Sequence, residues 1–545
     1  MTADPRLNTL PDILCEQAAL APDAPFITVL GEGHATRATS YEAALRIAAG
    51  LGRLGVAKSE TVAVMGPTSL ATLHAWMGIN CAGGIEVALN GAYRGAVLEH
   101  ALNTIGAGII IIAQAHLPVL RASEAALTHL RKAIYFSTDE EATAEPPAFA
   151  RIELIPFSSL IESEPLAAPV AVSHTDIGSM IYTSGTSGPA KAVRMPFAQI
   201  AFLAQRTVDK LRLQASDRFY CAHPLFHMAG KFMGVQAMLM AGGSIVLDQR
   251  FDAAHWLDRV RVHGATVSLG HGPMVEMIHA RPPGTDDREH LLRRMIMVPF
   301  PRAVAHAFEE RFGIRGIECW GMTEINAVCW APYDEPLRAG SCGKVDADWY
   351  DFRVVDPDSD EEVATGSVGE FVIRPTKPWL IMQGYHGMPD KTVDAWRNLW
   401  FHTGDAGYID DAGYVYFVDR LGDRIRRRAE NISSYDIESA ASGHPSVAEC
   451  AAVGVPSEFE DDDDVKLCVV LKPGRQADPE TLLRHLARTL PHYMVPRYIA
   501  FLAALPRTPT NKIQKKLLMT AAFDQVWDRK ASGVSLKDLA RDGPA

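Results

Sequence analysis

Strand-sized apolar runs bounded by glycine recur along the first half of the chain, at ETVAVMG (60–66), GIEVALN (84–90), GIIIIAQ (108–114) and GSIVLDQ (243–249). Helical patterns lie between them. Parallel strands need a crossover long enough to hold a helix, so this alternation predicts layered α/β structure with largely parallel sheets. An early helix is expected where Leu10, Ile13, Leu14 and Ala18 form one apolar stripe, with Thr9 as cap and Pro11 in the first turn.

At 545 residues the chain is longer than one hydrophobic core supports, so at least two domains are expected. From about residue 340 strand and turn signals crowd together, in FRVVDPDSDEEVATGSVGEFVIRP (352–375) and DAGYVYFVDRLGD (411–423). They predict a small β-barrel-like part at the end of a large N-terminal domain, 1–421. A smaller α+β C-terminal domain, 422–525, follows with ECAAVGVP (449–456), VKLCVVLKP (465–473) and a helix around Pro479 to Leu490, and 526–545 form a tail.

The 53 Lys+Arg and 65 Asp+Glu give a net charge of -12 without a basic arm or stripe, which argues against nucleic acid or an anionic membrane as partner. Five adjacent acids, Glu460 to Asp464, point in different directions and read as a solvated loop, not a metal site. Eight cysteines have no CxxC or Cys/His spacing, and the opening MTADPRLNTLPDILCEQ has no basic stretch leading into an apolar run. The longest apolar runs, such as Ile109 to Ala113, are too short for a membrane span. A cytoplasmic protein is expected.

The segment with most chemistry is YTSGTSGPAKAV, Tyr182 to Val193. Gly185 and Gly188 let the backbone bend, Ser184, Thr186 and Ser187 add hydroxyls to the loop amides, and Lys191 brings a cation, a set able to wrap a polyphosphate. The spacing to Lys191 is not that of the GxxxxGK[ST] loop. In CWGMTE (319–324), Trp320 offers a flat face for a purine, Thr323 a hydroxyl and Glu324 a hard oxygen for Mg²⁺. In FHTGDAGYID (401–410), Asp405 follows a glycine turn and is able to accept from vicinal ribose hydroxyls. No Ser-His-Asp arrangement, HExxH or EF-hand loop is present.

These segments, with DRLGDRIRRRAENISSYDIE (419–438) and PRTPTNKIQKKLL (506–518), follow one another in an order that resembles the acyl-adenylating superfamily. Family-like stretches also occur at LNGAYRG (89–95) and HPLFHMAG (223–230), so the resemblance spans almost the whole chain. AENISSYDIE and PLFHMAG are most similar to the crotonobetaine/carnitine-CoA ligase and medium-chain acyl-CoA synthetase branch.

The resemblance implies an acyl-CoA synthetase using ATP, Mg²⁺ and coenzyme A on a small-molecule carboxylate, with a homodimer as one compatible assembly. Thr183 to Gly188 and Lys191 would hold phosphates, Trp320 and Gly321 the base, Thr323 a phosphate, Glu324 the metal, and Asp405 with Arg420 the ribose. Lys512 would bridge carboxylate and α-phosphate from a mobile C-terminal domain pivoting at Gly422, within Leu421 to Asp423. His227 would line the acyl pocket, while Arg428 and Ala429 would meet coenzyme A. The chain departs from the family pattern at Cys319, at Ala429 and at MVPFP (297–301). Two alternatives stay open at this point: loading of a carrier-protein phosphopantetheine, and a non-catalytic nucleotide-binding relative.

Overall fold

The computed structural model describes residues 4, 7–137, 145–183, 190–421, 425–427, 430–432, 434–457, 463–490, 494–507, 513–520 and 526–535. These fall into two compact units. The first comprises 1–352, 373–401 and 412–416, and the second 353–372, 402–411 and 417–545.

The first unit is built on two sheets with parallel centres. One has seven strands in the order Glu153–Pro156, Lys132–Phe136, Ile109–Ala113, Thr61–Met65, Ile85–Ala88, Ile177–Thr183 and Lys191–Pro196. All its pairs are parallel except the last. Its strands are almost wholly apolar, as expected where helices cover both faces. Residues Ala63, Val87, Ile110, Ile112, Ala133 and Met180 form its core. The other sheet holds the parallel strands Pro25–Val29, Ser244–Leu247, Arg218–Cys221, Val267–Gly270, Arg294–Met297 and Arg315–Met322, with antiparallel hairpins at its ends. The first helix, Leu10–Leu20, starts where the sequence places it. Thr9 accepts from the Asp12 amide, and Leu10, Ile13, Leu14 and Ala18 are buried.

The strands Tyr350–Val355, Gly369–Pro375, Phe401–Ile409 and Tyr414–Arg420 are consecutive neighbours, but they do not close the expected barrel-like part. The last of them does not return to the first. Its Tyr414 and Val415 pair with Lys344 and Gly343, so its second edge is already used.

Within the second unit the C-terminal residues form an α+β layer. A four-stranded sheet in the order Val447–Pro456, Asp463–Leu471, Tyr498–Phe501 and Trp527–Asp528 packs under the helices Ser434–Ser442 and Pro479–Thr489. Asp478 caps the second helix through the Thr481 amide, and Leu482, Leu483 and Leu486 fill the core beside Ile437, Leu467 and Ile499. The solvated-loop reading of the acidic run is corrected at its end. Asp463 and Asp464 open a strand, and buried Asp464 pairs with Arg497 at 2.7 Å. A long-range cation satisfies a carboxylate that neighbouring acids alone would have kept in water.

Candidate active site

Three elements of the first unit converge on Glu324. Strands Ile177–Thr183 and Lys191–Pro196 are antiparallel, and Thr183 faces Lys191 across the pair. The segment after Leu380 runs along the second strand. There the Gln383 amide donates to the Arg194 carbonyl (2.9 Å) and the His386 amide to the Ala192 carbonyl (2.8 Å), which sets Tyr385 beside Val193.

Glu324 itself sits in the hairpin turn between Arg315–Met322 and Asn326–Trp330. A register shift between Trp320 and Gly321 re-aims this turn, as bulges do beside functional sites. Gly321 has no room for a side chain: a Cβ there would stand 1.8 Å from the Asn326 carbonyl oxygen. Asn326 takes a left-handed backbone, φ 67°, and its amide donates to the carbonyls of Gln199 and Leu380, each at 3.0 Å. Buried Gln199 donates in turn to the Thr323 carbonyl at 2.9 Å. The turn is thereby clamped from the helix Phe197–Leu211.

The result is a compact polar group. The Thr183 hydroxyl (3.4 Å) and the Tyr385 phenol (3.0 Å) both donate to Oε1 of the buried Glu324, and the Lys191 ammonium lies 4.1 Å from the Tyr385 ring centroid. Among the described residues neither of these hydrogen bonds engages Glu324 Oε2. A hard anionic oxygen oriented by its neighbours suits a divalent cation. Trp320 is buried edge-on against Phe352, with centroids 6.0 Å apart.

Beside this group the strand Arg315–Met322 carries Glu318 in its interior. Burial pushes the Glu318 carboxyl up to about 8, against the opposing Phe300 amide, and its Oε2 has no hydrogen-bond partner among the described residues. His227 stands at the head of the helical stretch Ala229–Gln236, with the Phe226 ring 5.2 Å away. Two residues before Leu225, His223 is held down to about 3 by burial and by His271 and His227, so it is neutral at physiological pH.

In the second unit Asp405 lies behind Gly404, whose φ of 71° the turn requires. The Gly404 amide donates to Glu370 Oε1 (3.0 Å), the Asp405 amide to the Thr403 hydroxyl (3.0 Å), and the Leu421 amide to the Gly404 carbonyl (2.8 Å). Arg420 Nε meets Asp405 Oδ1 at 3.1 Å, so two residues expected on one ribose are paired.

Thus the first unit brings Thr183, Lys191 and Glu324 together, with the Thr323 carbonyl held by Gln199 beside them, and the second pairs Asp405 with Arg420. Ser184, Gly185, Thr186, Ser187, Gly188, Gly422, Arg428, Ala429 and Lys512 lie outside the described residues. Sequence reasoning missed Tyr385, Gln199 and Glu318. Tyr385 lies in GYHG (384–387), a pattern that reads as a turn, and the other two lie inside regular elements without a motif of their own.

Comparison with known proteins identifies the family. The family model for the AMP-binding enzyme matches residues 14–386, and that for the AMP-binding enzyme C-terminal domain matches 436–512. A feruloyl-CoA synthase from Amycolatopsis sp is 30% identical over 86% of this chain and 90% of its own. A crotonobetaine/carnitine–CoA ligase of Salmonella paratyphi C is 27% identical over 85% and 89%. Among solved structures, the anthranilate CoA ligase AuaEII in complex with anthranoyl-AMP superposes with a TM-score of 0.84, at 25% identity over 98% of this chain and 100% of that one. No helix among the described residues is long and apolar enough to cross a membrane. The chain belongs to the AMP-binding enzyme family and, within it, to the acyl-CoA synthetases, ATP-dependent ligases that activate an acid as acyl-AMP and pass the acyl group to coenzyme A.

Proposed function

We propose that the Glu324 group performs the first half-reaction on a small carboxylic acid and that the chain carries out both halves in the order adenylation, then thioester formation. The observation that carries this reading is the convergence of the Thr183 hydroxyl and the Tyr385 phenol on one Glu324 oxygen, with Lys191 over the same phenol ring.

Carboxylate attack on the α-phosphorus brings two anions together, so the barrier falls when cations and hydroxyls are fixed in advance. In this reading Lys191 and Thr323 hold phosphate oxygens, and Thr183 to Gly188 supply amides and hydroxyls around them. Glu324 would hold Mg²⁺ through Oε2, the oxygen that Thr183 and Tyr385 do not bond, and the ion, when bound, would neutralise polyphosphate charge. Trp320 and Gly321 flank the adenine, and Asp405 accepts from the ribose hydroxyls while Arg420, paired with it, holds that carboxylate in place.

Lys512 completes the adenylating arrangement from a domain beginning near residue 422, with Gly422 as pivot. Arg428 and Ala429 then face coenzyme A, and His227 stands beside the acyl group. The same reading places the protein in the cytoplasm, where ATP and coenzyme A are both at hand. Purified protein incubated with MgATP and a panel of carboxylic acids, with AMP measured with and without coenzyme A, tests the proposal. Acid-dependent pyrophosphate release that becomes multiple-turnover AMP formation with coenzyme A is expected. Acid-dependent release without any thioester would reject the second half.

A further inference from the structure

A buried ion pair lies one helical turn beyond His227. The Lys231 amide donates to the His227 carbonyl at 3.2 Å, so Lys231 follows His227 on one side of this helical stretch. Its ammonium is bonded to Glu86 Oε1, in the middle of the seven-stranded sheet, while the Ser179 hydroxyl donates to Glu86 Oε2. Both charged side chains are 2% exposed, and the ammonium also lies 5.2 Å from the Trp76 ring centroid and 5.8 Å from that of Phe232.

Taking two charges out of water costs more than packing apolar groups of the same volume, so a pair kept at this depth does little for stability. Beside it is a cavity of about 10 Å³, lined by Thr72, Trp76, Glu86, Leu225, Phe226 and Lys231 among others, which is room for one water-sized polar group. Of these lining residues, buried Trp76 has an indole N–H without an acceptor.

The chemistry of the lining narrows what fits. A carboxylate there would set two anions against one ammonium, and an ammonium would face Lys231. A carbonyl accepts but gives Glu86 nothing. A hydroxyl adds no charge, donates to Glu86, accepts from Lys231 or Trp76, and its single oxygen matches the volume. We propose that the Glu86–Lys231 pair is the floor of the acyl pocket and selects carboxylic acids that carry a hydroxyl at the end remote from the carboxylate. This rests on the acyl-CoA synthetase reading and on His227 as a pocket residue. The apolar walls supplied by Leu225, Phe226 and Trp76 suit an aryl or alkyl body between the two polar ends.

Matched acids differing only in the distal hydroxyl test it, such as 3-(4-hydroxyphenyl)propanoate against 3-phenylpropanoate and ω-hydroxyalkanoates against alkanoates of equal length. The native enzyme should favour the hydroxy member by at least ~10-fold in kcat/KM for pyrophosphate release, because a site built to bond a hydroxyl leaves its own groups unpaired without one. Trp76→Phe, and the paired change Lys231→Met with Glu86→Gln, should shrink that preference through KM for the acid while leaving KM for ATP and the melting temperature near parental. Equal turnover of both members by the native enzyme would mean that the cavity holds only water, and a preference that survives both variants would place the selector elsewhere. Either result overturns the inference while leaving the ligase reading intact. Absence of AMP from every acid would instead reject the ligase reading itself.

Discussion

Tyr385 and Glu324, 61 residues apart in sequence, meet through a 3.0 Å hydrogen bond from phenol to carboxylate Oε1. The phenol orients an acid that would otherwise rotate about its last torsion, and it bonds Oε1, not Oε2. Outer partners of a metal-binding carboxylate commonly influence metal affinity nearly as much as the ligand does. Tyr385→Phe is therefore expected to raise the Mg²⁺ concentration for half-maximal pyrophosphate release by about 10-fold, with a stability loss of about 1 kcal/mol. Glu324→Gln, which removes the anionic oxygen itself, should lower adenylation by on the order of 10²–10³-fold. Metal titrations of both variants check the ordering, and a Tyr385→Phe curve that overlays the parent would detach Tyr385 from the metal.

Gly321→Ala tests the bulge. The added methyl would sit 1.8 Å from the Asn326 carbonyl oxygen and 2.7 Å from Ala327 Cα, both backbone atoms that cannot swing aside. The hairpin has to open to admit it, at a cost of about 1–3 kcal/mol, and the Thr323–Glu324 turn moves with it. A drop in melting temperature together with loss of adenylation is expected. Full activity at parental stability would show that the turn is not clamped as described.

Glu318 gives a pH dependence whose sign is fixed. Burial raises its carboxyl from an ordinary 4.5 to about 8, so the folded protein holds this proton more tightly than the unfolded chain does. Its contribution to stability is complete below about pH 4.5 and is lost as pH rises to about 8. Glu318→Gln, neutral throughout, should gain on the parent by on the order of 1.4 kcal/mol per pH unit between about pH 5 and 8, then run parallel to it. Urea unfolding of both proteins at a series of pH values measures the gap, and a gap constant with pH would mean that Glu318 ionises freely.

Lys512→Ala separates the half-reactions. A cation that meets the carboxylate and α-phosphate only during adenylation should be dispensable once acyl-AMP exists. The variant is expected to lose pyrophosphate release by at least ~10²-fold while keeping near-parental thioester formation from pre-made acyl-AMP. Equal loss of both activities would remove Lys512 from its proposed role.

Much of this was legible in the sequence where chemistry and local geometry coincide. Thr9 and Pro11 announce the first helix, and the glycine-bounded apolar runs become central parallel strands. Glu324 and Thr183, which the structure joins by a hydrogen bond, stand out in the sequence because each lies in a segment whose order along the chain is itself informative. Tyr385 and Gln199 were not, since their role arises from contacts 61 and 124 residues distant, and nothing in a GYHG turn or an apolar helix announces such a partner. The same limit explains Asp464, whose neighbours read as a solvated run until Arg497, 33 residues on, supplies the counter-charge. It also explains the open meander, because closely spaced strands specify hairpins but not which edge the last one meets.

The bond from the Leu421 amide to the Gly404 carbonyl, 2.8 Å long, bears on how the proposed pivot turns. An amide hydrogen lies upstream of its own N–Cα bond, so this tether fixes the peptide plane between Arg420 and Leu421 and lies upstream of Leu421 φ. If the chain pivots after Leu421 as proposed, the near side of that pivot is mounted on the residue immediately before Asp405. On the same proposal, a nucleotide that orders Asp405 would stiffen that mount, and clasping the ribose and setting the axis of the swing would become one mechanical event.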